Sequence, residues 1–546
     1  MKKRYHILLL LLLLASAVFA LAACNKTPED PFTEILDFQK KDDGTYAVSI
    51  GDAYGLAEIK IPATYKKKPV TEIAYQGFQS RYLEKITIPD SITDIGWGAF
   101  AGCSKLESIE IPAGITHIHA STFENCTSLT HVTIPKGVVS IESKAFAGCT
   151  KLQSINIPES VTAIEWYAFA ECMSLKTVEI PNNVKSIGYK AFFDCRSLTS
   201  VTLSNTLTSI DWGTFSGCIS LKSIEIPAGV TDIAYTAFAG CNDLTAVTMP
   251  NSVVSIGDRA FYGCADLISI TIPQGVTTIG DSAFEGCYKL IEVINRSSMP
   301  LDADTQYSSY VTTYAKEVHR GESKIKFQDD YLFFAHEGAH YLVGYSGNDS
   351  RLTLPERFLD EQYEIHPYAF LGRDTIVEVI IPDGVTAIGD SAFKNCGALT
   401  TVTVPMSVTV IGESAFSGCA SLAEVSLAEG VKELGARAFE NCVKLANIIL
   451  PGSTESIGKY AFLGCEQLTS INIPMRVFNI GEYAFKNCKA LTSAILDVPT
   501  GWWCAAPTDS TFGTSIPDGL LNNAQTAASY LTSSFVSRVW MHEKMN

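Results

Sequence analysis

The chain has 546 residues, of which 47% are hydrophobic and 18% are charged, and its formal net charge at pH 7 is −17. This composition excludes an intrinsically disordered chain, because such chains contain too few hydrophobic residues to form a core. The excess of acidic residues argues against nucleic acid or an anionic lipid surface as a partner, since both carry negative charge.

The first 23 residues have the order of a secretory signal. Residues 2–4 are basic, residues 7–20 form an apolar run broken by one serine, and residues 21–24 have the sequence Leu-Ala-Ala-Cys. This ending resembles the lipobox of bacterial lipoproteins. The resemblance implies that residues 1–23 are removed and that lipid is attached to Cys24. A plain secretory signal is the alternative.

Membrane attachment is expected only through that lipid. The run at 7–20 is too short to span a bilayer comfortably, and no later stretch reaches about 18 consecutive apolar residues. A short tether from Cys24 to about Pro31 is expected to follow. Three basic residues and no acidic ones leave with residues 1–23, so the mature net charge would be −20.

Two residue types recur every 23 residues through most of the chain. Phenylalanines run from Phe100 to Phe284 and from Phe393 to Phe485, and a cysteine follows each of them after three residues. These cysteines stand at positions 103, 126, 149, 172, 195, 218, 241, 264 and 287, and again at 396, 419, 442, 465 and 488. A constant period of this length indicates a repeat protein that grows along one axis, not a set of separate globular domains.

Each unit predicts two short strands and a turn. Within residues 106–111 the two isoleucines point to one face, whereas Ser108 and Glu110 point to the other. Pro112 ends this strand because it cannot donate a hydrogen bond to a neighbouring strand. A second strand ends at Ile118, before a tight turn that carries the next phenylalanine inward. No unit can bury its own side chains, so successive units are expected to stack around one continuous core.

The repeated pattern Leu-x-x-Ile-x-Ile-Pro, Val-x-x-Ile-Gly, Ala-Phe-x-x-Cys resembles the BspA-like subclass of bacterial leucine-rich repeats. The resemblance covers residues 59–295 and 352–496. It departs from the pattern at Ser204 and Ala428, which replace proline, and at Arg373, which replaces a ladder cysteine. It implies a right-handed leucine-rich-repeat solenoid made mainly of short parallel β-strands and turns.

The repeat is interrupted once and is flanked by other segments. Strand-like residues surround a turn both before the first block and within the interruption, so each block is expected to start with a hairpin that covers a sheet edge. Apolar residues at helical spacing in 524–535 predict a helical cap at the end. The predicted divisions are 1–23 (lipoprotein signal peptide), 24–58 (tether and N-terminal hairpin cap), 59–294 (first repeat block), 295–351 (interruption with a hairpin), 352–496 (second repeat block) and 497–546 (C-terminal cap).

One motif suggests a zinc metallopeptidase. The sequence His336-Glu337-Gly338-Ala339-His340 matches HExxH, which on a helix would place two imidazoles on one face with a glutamate as general base. Here the flanking residues are strand-like, Gly338 stands in the middle, and no third ligand follows at the usual spacing. We therefore expect a hairpin turn, with no catalytic residue, metal or cofactor, and keep zinc catalysis as a remote alternative.

The cysteine ladder has three interpretations. Many cysteines in an exported protein usually form disulfides, but the ladders contain nine and five members and lie among apolar residues. We favour buried thiols that pack as small hydrophobic side chains. Disulfides between rungs are the second interpretation, metal binding is the third, and Cys504, which lies off the ladder, stays ambiguous.

Two surfaces are candidates for binding. The first is an outer column of aromatic residues two positions after the second strand, which we call the aromatic column. Its members are Tyr75, Trp97, Trp166, Tyr189, Trp212 and Tyr235, and later rungs place Asp258, Asp281, Asp390 and Glu413 there. Exposed aromatic side chains are enriched at interfaces, although packing between rungs would also explain them.

The second candidate surface is the polar strand face, for which an ordinary solvated surface is the alternative. Its columns include Ser108, His131, Ser154, Glu110, Thr133 and Asn156.

The expected function follows from the resemblance. BspA-like repeats are associated with adhesion to host matrix proteins such as fibronectin and with contacts between bacterial cells. The resemblance thus implies a lipid-anchored binding protein on the outer surface of the bacterial cell envelope, with an extracellular protein as its partner. A structural protein of the periplasm is the alternative.

Overall fold

The computed structural model describes residues 31–301, 311, 314–505, 514–534 and 536–542, so the signal segment and Cys24 lie outside the described residues. The chain forms two compact units, Met1–Leu175 and Lys176–Asn546. In each unit, parallel strands recur at the repeat interval of about 23 residues. The predicted solenoid is therefore confirmed. The break between the units falls inside the first predicted repeat block, and the interruption at 295–351 lies within the second unit.

In the first unit the strands form two columns. Their side chains alternate, so the central isoleucine or valine of a first-column strand is buried while its neighbours are exposed. Neighbouring strands are parallel and in register, with His131 opposite Ser108 and Thr133 opposite Glu110. The first column contains Glu58–Lys60, Lys85–Thr87, Ser108–Glu110 and His131–Thr133, and the second contains Lys68–Ile73, Asp94–Ile95, His117–Ile118, Ser140–Ile141 and Ala163–Ile164.

A hairpin begins the second column of this unit. Strand Asp37–Lys40 is antiparallel to Tyr46–Ser49, which runs parallel to Lys68–Ile73 and so covers the edge of the column. The rings of Phe38 and Tyr65 stack with their centroids 4.1 Å apart and fix the outer strand. The remaining elements here are the 3-10 turns Pro31–Glu34 and Gly51–Gly55 and the short strand Thr64–Tyr65, antiparallel to Lys68–Ile73.

The second unit also contains two columns of parallel strands. Strand Glu317–His319 pairs in parallel with Glu292–Asn295, so the first column extends one strand into the predicted interruption. The first column contains Thr177–Glu179, Ser200–Thr202, Ser223–Glu225, Ala246–Thr248, Ser269–Ile272, Glu292–Asn295 and Glu317–His319, and the second contains Ser186–Ile187, Ser209–Ile210, Asp232–Ile233, Ser255–Ile256 and Thr278–Ile279.

Within the interruption, three antiparallel strands start the second repeat block. They are Lys326–Gln328, Tyr331–His336 and Ala339–Tyr345, and the last runs parallel to Tyr363–Ile365. One face of this hairpin packs into the core of the second block through Phe333 and Leu342. The other face packs on Ile268 and Ile291 of the first block through Phe334 and Val343. The hairpin thus joins the two blocks and covers an edge of the second.

The second block repeats the two columns and ends in a mixed cap. Its first column contains Arg351–Thr353, Glu378–Ile380, Thr401–Val404, Glu424–Leu427, Asn447–Ile448, Ser470–Ile473 and Ser493–Leu496, and its second contains Tyr363–Ile365, Val385–Ile388, Val410–Ile411, Glu433–Leu434, Ser456–Ile457 and Asn479–Ile480. Strand Val539–Met541 lies antiparallel to Asn479–Ile480 and closes the second column. The other cap elements are strands Trp503–Ala505 and Thr514–Ser515, α-helices Asp518–Leu521 and Ala524–Ser529, and a π-turn at Tyr530–Ser534.

The predicted C-terminal helix is thus present but short. Ala527, Ala528 and Leu531 are buried against the repeat core, as the spacing indicated, whereas Phe535 lies outside the described residues. The strands of the cap were not predicted. Among the described residues, no helix has the length and apolar character needed to cross a membrane.

Phenylalanine and cysteine side chains form the interior of each turn. The Phe215 and Phe238 rings stack with centroids 5.6 Å apart, and Phe238 and Phe261 are 5.3 Å apart. Ladder thiols donate to the carbonyl oxygen of the phenylalanine one rung back, as Cys241 does to Phe215 at 3.2 Å and Cys488 to Phe462 at 3.1 Å. The ladder therefore stabilises the core by packing and by one weak hydrogen bond per rung.

The turn before each ladder cysteine requires a left-handed backbone conformation. Asn395 and Gly418 occupy this position on successive rungs with φ of 60° and 76°. A Cβ atom on Gly418 would lie 2.2 Å from the Asn395 side-chain oxygen, and Gly464 stands in the same relation to Asn441. Glycine on the rung after an asparagine thus avoids both a close contact with the asparagine side chain and the strain of a positive φ.

Candidate functional site

The aromatic column of the first unit is exposed. Tyr75 is 66% exposed, Trp97 58% and Trp166 41%. Each residue follows the second strand by two positions, where the chain turns and the side chain points away from the core. Trp97 meets the ring of His119 edge-on at 6.3 Å, and the Lys144 ammonium nitrogen lies 6.0 Å from the centre of Trp166. Trp97 and Trp166 are therefore exposed and are also in contact with their neighbours.

In the second unit, three members of the column lie on successive rungs and contact one another. Trp212 stacks on Tyr189 at 5.8 Å and meets Tyr235 at 5.8 Å with the planes 64° apart. The Lys190 ammonium nitrogen lies 5.5 Å from the centre of Trp212, within the range of a cation–π interaction. Trp212 and Tyr235 remain 45% and 41% exposed. The two interpretations of the column are therefore compatible, because packing between rungs leaves a stiff, partly exposed ridge.

The acidic residues that follow in the same column have a structural role. The Asp258 carboxylate accepts a hydrogen bond from the backbone N–H of Asp281 at 2.9 Å, and Asp390 accepts from the N–H of Glu413 at 2.7 Å. Each carboxylate thus satisfies a backbone donor of the next rung. The acidic rungs are therefore linked by hydrogen bonds at this position, whereas the rungs of Tyr189, Trp212 and Tyr235 are linked by ring contacts.

His119 lies between two carboxylates of neighbouring rungs beside Trp97. Its Nε2 is 3.1 Å from an Asp94 carboxylate oxygen, and its Nδ1 is 2.9 Å from a Glu142 carboxylate oxygen. The hydrogen bond with Asp94, with a further contribution from Glu142, raises the pKa of His119 above its ordinary value, against the opposing effect of partial burial. The hydrogen bond to His119 lowers the pKa of Asp94.

The HExxH motif folds as a hairpin turn. Glu337 and Gly338 have φ of 49° and 81° and join strands in which His336 pairs with Ala339 and Ala335 pairs with His340. Because side chains alternate along a strand, the two imidazoles lie on opposite faces of the hairpin. His336 hydrogen-bonds Glu317 at 3.1 Å, whereas His340 packs edge-on against Phe358 at 5.5 Å. The motif therefore lacks the geometry by which two histidines bind one zinc ion.

Among the described residues, no cluster of three or more histidine, cysteine or acidic side chains is arranged to hold a metal ion. The fifteen cysteines in these residues are buried thiols. Burial raises the pKa of the Cys149 and Cys488 thiols to about 12. A buried thiol of high pKa contains little of the reactive thiolate at neutral pH. Burial also raises the pKa of Cys504, which is buried in the C-terminal cap.

The polar strand face is exposed in both units. In the first unit the outward residues of neighbouring rungs lie directly opposite one another. Asn156 forms an isolated parallel β-bridge with Thr133 through the backbone. In the second unit Thr177 lies opposite Ser200, and Glu179 opposite Thr202. The side chains are small and polar, and their arrangement does not single out a ligand.

Buried charges at the junction of the two repeat blocks were not foreseen. Lys289 forms a 2.7 Å ion pair with Asp266, and its side chain is only 3% exposed. Glu292 is fully buried and accepts hydrogen bonds from His319, Ser323 and the backbone of Lys324. The sequence indicated these buried charges only at Arg373, where a charged residue replaces a ladder cysteine. Arg373 donates a hydrogen bond to the Tyr345 carbonyl oxygen.

Stacked parallel strands, with leucine, isoleucine and phenylalanine at a constant spacing around the core of each unit, define the class of leucine-rich-repeat solenoids. A family model described as BspA type leucine-rich repeat region (6 copies) matches residues 71–199, 185–301 and 358–496. These segments cover more than half of the chain, which therefore belongs to the BspA-type leucine-rich-repeat family.

Solved structures that are similar to this chain include three bacterial proteins. A leucine-rich repeat protein from Bacteroides ovatus is 27% identical, with 86% of this chain and 94% of that chain covered and a TM-score of 0.40. A leucine rich cell surface protein from Faecalibacterium prausnitzii is 26% identical, with 87% and 96% covered and a TM-score of 0.31. The leucine-rich repeat protein of T. pallidum is 23% identical, with 49% and 91% covered and a TM-score of 0.28. None of the curated proteins matches the sequence.

Proposed function

We propose that this chain is a lipid-anchored binding protein on the outer surface of a bacterial cell envelope and that it adheres to an extracellular protein. The partner would be a host matrix protein such as fibronectin or a protein of another cell. Membership of the BspA-type family supports a protein-binding role. The lipobox-like Leu21-Ala22-Ala23-Cys24 supports lipid attachment at Cys24.

The observation that carries the binding proposal is the exposed aromatic column. Aromatic side chains supply large, stiff contact area at little cost in conformational entropy, and they dominate the energetics of many interfaces. Trp97 and Trp212 are half-exposed although a solenoid of this kind has a core in which to bury them. Their neighbours His119 and Tyr189 restrict their movement, so less entropy is lost when a partner binds.

The binding test uses the triple variant Trp97→Ser/Trp166→Ser/Trp212→Ser. Binding to immobilised fibronectin and to whole cells is measured, with circular dichroism and thermal unfolding as controls for folding. We expect binding to fall at least tenfold, since one interface anchor is worth about 2 kcal/mol or more. Phe327→Ser is the matched control, because Phe327 is 66% exposed outside the column. Equal binding by the triple variant and the wild-type protein would remove the column from the proposal.

Surface display is tested separately by protease treatment of intact cells. Release of repeat fragments identified by mass spectrometry is the expected result. Complete protection would favour the alternative, a structural protein of the periplasm. Labelling of the protein by a fatty acid, lost in Cys24→Ala, tests the anchor.

The proposal assigns no catalytic activity to the chain. The geometry of the hairpin at His336 and His340, with imidazoles on opposite faces, supports this. Purified protein is expected to bind no stoichiometric zinc and to leave casein intact. Zinc-dependent cleavage that disappears in Glu337→Gln would reverse the assignment.

A further inference from the structure

In its charged form, His119 can donate a hydrogen bond to each of two neighbouring carboxylates. Ionised carboxylates can only accept hydrogen bonds. Nε2 faces the Asp94 carboxylate at 3.1 Å and Nδ1 faces the Glu142 carboxylate at 2.9 Å. Both hydrogen bonds can therefore form together only when both ring nitrogens carry a proton, and in that state the imidazolium connects three successive rungs of the first unit. Loss of one proton leaves a neutral ring, which forms no ion pair, keeps one of the two hydrogen bonds and turns a nitrogen lone pair toward the other carboxylate.

The charged groups around His119 belong to the rungs on both sides. The second Glu142 oxygen accepts from the Ala120 backbone at 3.0 Å, and the His117 ring stacks on His119 at 5.7 Å. The outer charged groups are Lys41, which pairs with Glu72 at 2.6 Å and also acts on Asp94, and Glu165, which accepts from Ser143 next to Glu142. Two carboxylates thus contact His119 directly, while the neighbouring cationic Lys41 is paired with another acid.

The same imidazole supports an exposed member of the aromatic column. The Trp97 and His119 rings meet at 6.3 Å with their planes 71° apart, and Trp97 is 58% exposed. The Trp97 backbone is fixed by its carbonyl oxygen, which accepts from the Gln76 N–H at 2.9 Å. The orientation of the Trp97 indole therefore depends on its side-chain contacts, one of which is the His119 ring.

We propose that protonation of His119 fixes the exposed Trp97 side chain and makes binding at this end of the aromatic column dependent on pH. This inference rests on the proposed binding function of the column. When His119 is charged, both carboxylates hold its ring and the indole packs against a fixed surface. When His119 loses a proton, the ring becomes neutral and both ion pairs and one of the two hydrogen bonds are lost. Trp97 then gains freedom that a partner must restrict, which weakens binding about two- to tenfold.

The structural part of the proposal is tested without a ligand. The full chain is labelled with 5-fluorotryptophan, the Trp97 ¹⁹F resonance is assigned with Trp97→Phe, and spectra are recorded from pH 5.5 to 9. We expect the Trp97 resonance to titrate with a midpoint above 6.5, the ordinary pKa of histidine. The H₂O/D₂O isotope shift, which reports solvent exposure of the fluorine, is expected to change with the same midpoint.

His119→Gln is expected to abolish this titration, whereas His131→Asn, on the exposed strand face, is expected to retain it. If His119→Gln fails to fold, Asp94→Asn replaces it and is expected to lower the midpoint, because the first ion-pair partner is lost. A Trp97 resonance that does not titrate would overturn the proposal. A resonance that titrates with a constant isotope shift would also overturn it, because the charge of His119 would then act without moving the indole.

A second arm separates this inference from the proposed function. Fibronectin binding is compared at pH 6 and pH 8.5 for wild-type protein and His119→Gln. Weaker wild-type binding at the higher pH, with His119→Gln independent of pH, supports the inference. Binding that is the same at both pH values overturns it while the proposed function stands. Absence of fibronectin binding at both pH values rejects that ligand, and the ¹⁹F titration still decides the role of His119.

Discussion

The Lys289 ammonium nitrogen lies 2.7 Å from an Asp266 carboxylate oxygen, with the lysine side chain 3% exposed and the aspartate 19% exposed. The two residues occupy the same position on successive rungs, directly before the interruption. Arg373 and Asp243 also act electrostatically on this pair. Burial lowers the pKa of Lys289, against the effect of Asp266. The junction of the repeat blocks therefore contains an ion pair whose partners differ in burial.

This difference predicts unequal effects of single substitutions. Asp266→Ala leaves a buried ammonium without its partner and is expected to cost about 3–5 kcal/mol of unfolding free energy. Lys289→Met leaves a carboxylate that water can reach and is expected to cost less, about 1–3 kcal/mol. The double variant Lys289→Met/Asp266→Leu should be more stable than Asp266→Ala. Urea unfolding measures all three, and a double variant no more stable than Asp266→Ala would contradict the prediction.

The ladder cysteines are expected to react only after unfolding. In denaturant without reductant, about fifteen thiols per chain should titrate for the cysteines at 103–504, as expected if all are reduced and buried. Native protein should react far more slowly, because burial blocks access to the thiols and raises the pKa of members such as Cys149 and Cys396. A titration that finds few thiols until a reductant is added would instead establish disulfides between rungs.

His366 predicts a loss of stability in acid. It is 5% exposed, and burial lowers its pKa to about 4, below the ordinary 6.5. Between pH 6.5 and pH 4, His366 therefore binds a proton in the unfolded chain but stays neutral in the folded chain. The stabilisation is present above pH 6.5 and is lost as the pH falls toward 4, by up to about 3 kcal/mol.

The test compares wild-type protein with His366→Phe, which keeps an aromatic ring beside Tyr341. Urea unfolding at pH 7.5 and pH 4.5 gives the change in stability for each. The wild-type protein should lose more on acidification than the variant. Identical losses would show that His366 does not govern this range.

The C-terminal strand should protect the last rung from association. Trp540 is buried, and Val539–Met541 pairs with the edge strand Asn479–Ile480. Removal of residues 497–546 would expose this edge and the adjacent core, which is expected to cause oligomers in size-exclusion chromatography. Trp540→Ala should lower stability by about 3–5 kcal/mol. A truncated chain that stays monomeric would show that the last repeat needs no cap.

The repeat columns were predictable because the same side chains return at a fixed interval. Equivalent positions of successive rungs have similar burial, so periodicity alone predicts that Phe238 and Cys241 are buried and that Ser223 is exposed. The junction was not predictable, since Lys289 resembles an ordinary surface lysine until Asp266 and the hairpin surround it. Likewise, strands of the C-terminal cap pair with a repeat far away in sequence, and no local pattern identifies such a partner.

The candidate site was predicted in part. Spacing identified the six aromatic positions, and exposure in the structure agrees with an outward position for Trp97 and Trp212. Whether they bind a partner stays a prediction. His119 was missed because its two carboxylate partners lie 23 and 25 residues away and belong to no motif. The HExxH motif is the reverse: the sequence matches the motif, but the residues form a hairpin and not the helix that zinc binding requires.

The rung-to-rung bonding of each unit also bears on how a tethered chain would respond to mechanical load. The Phe146 N–H donates to Ala168 and the Phe238 N–H to Ala260, so each turn is attached chiefly to the next one. Tension along the stacking direction would then detach one turn at a time, and each 23-residue turn would release about 75–80 Å of extended polypeptide. A unit of this kind would dissipate a pull in many small steps while the remaining turns kept their fold.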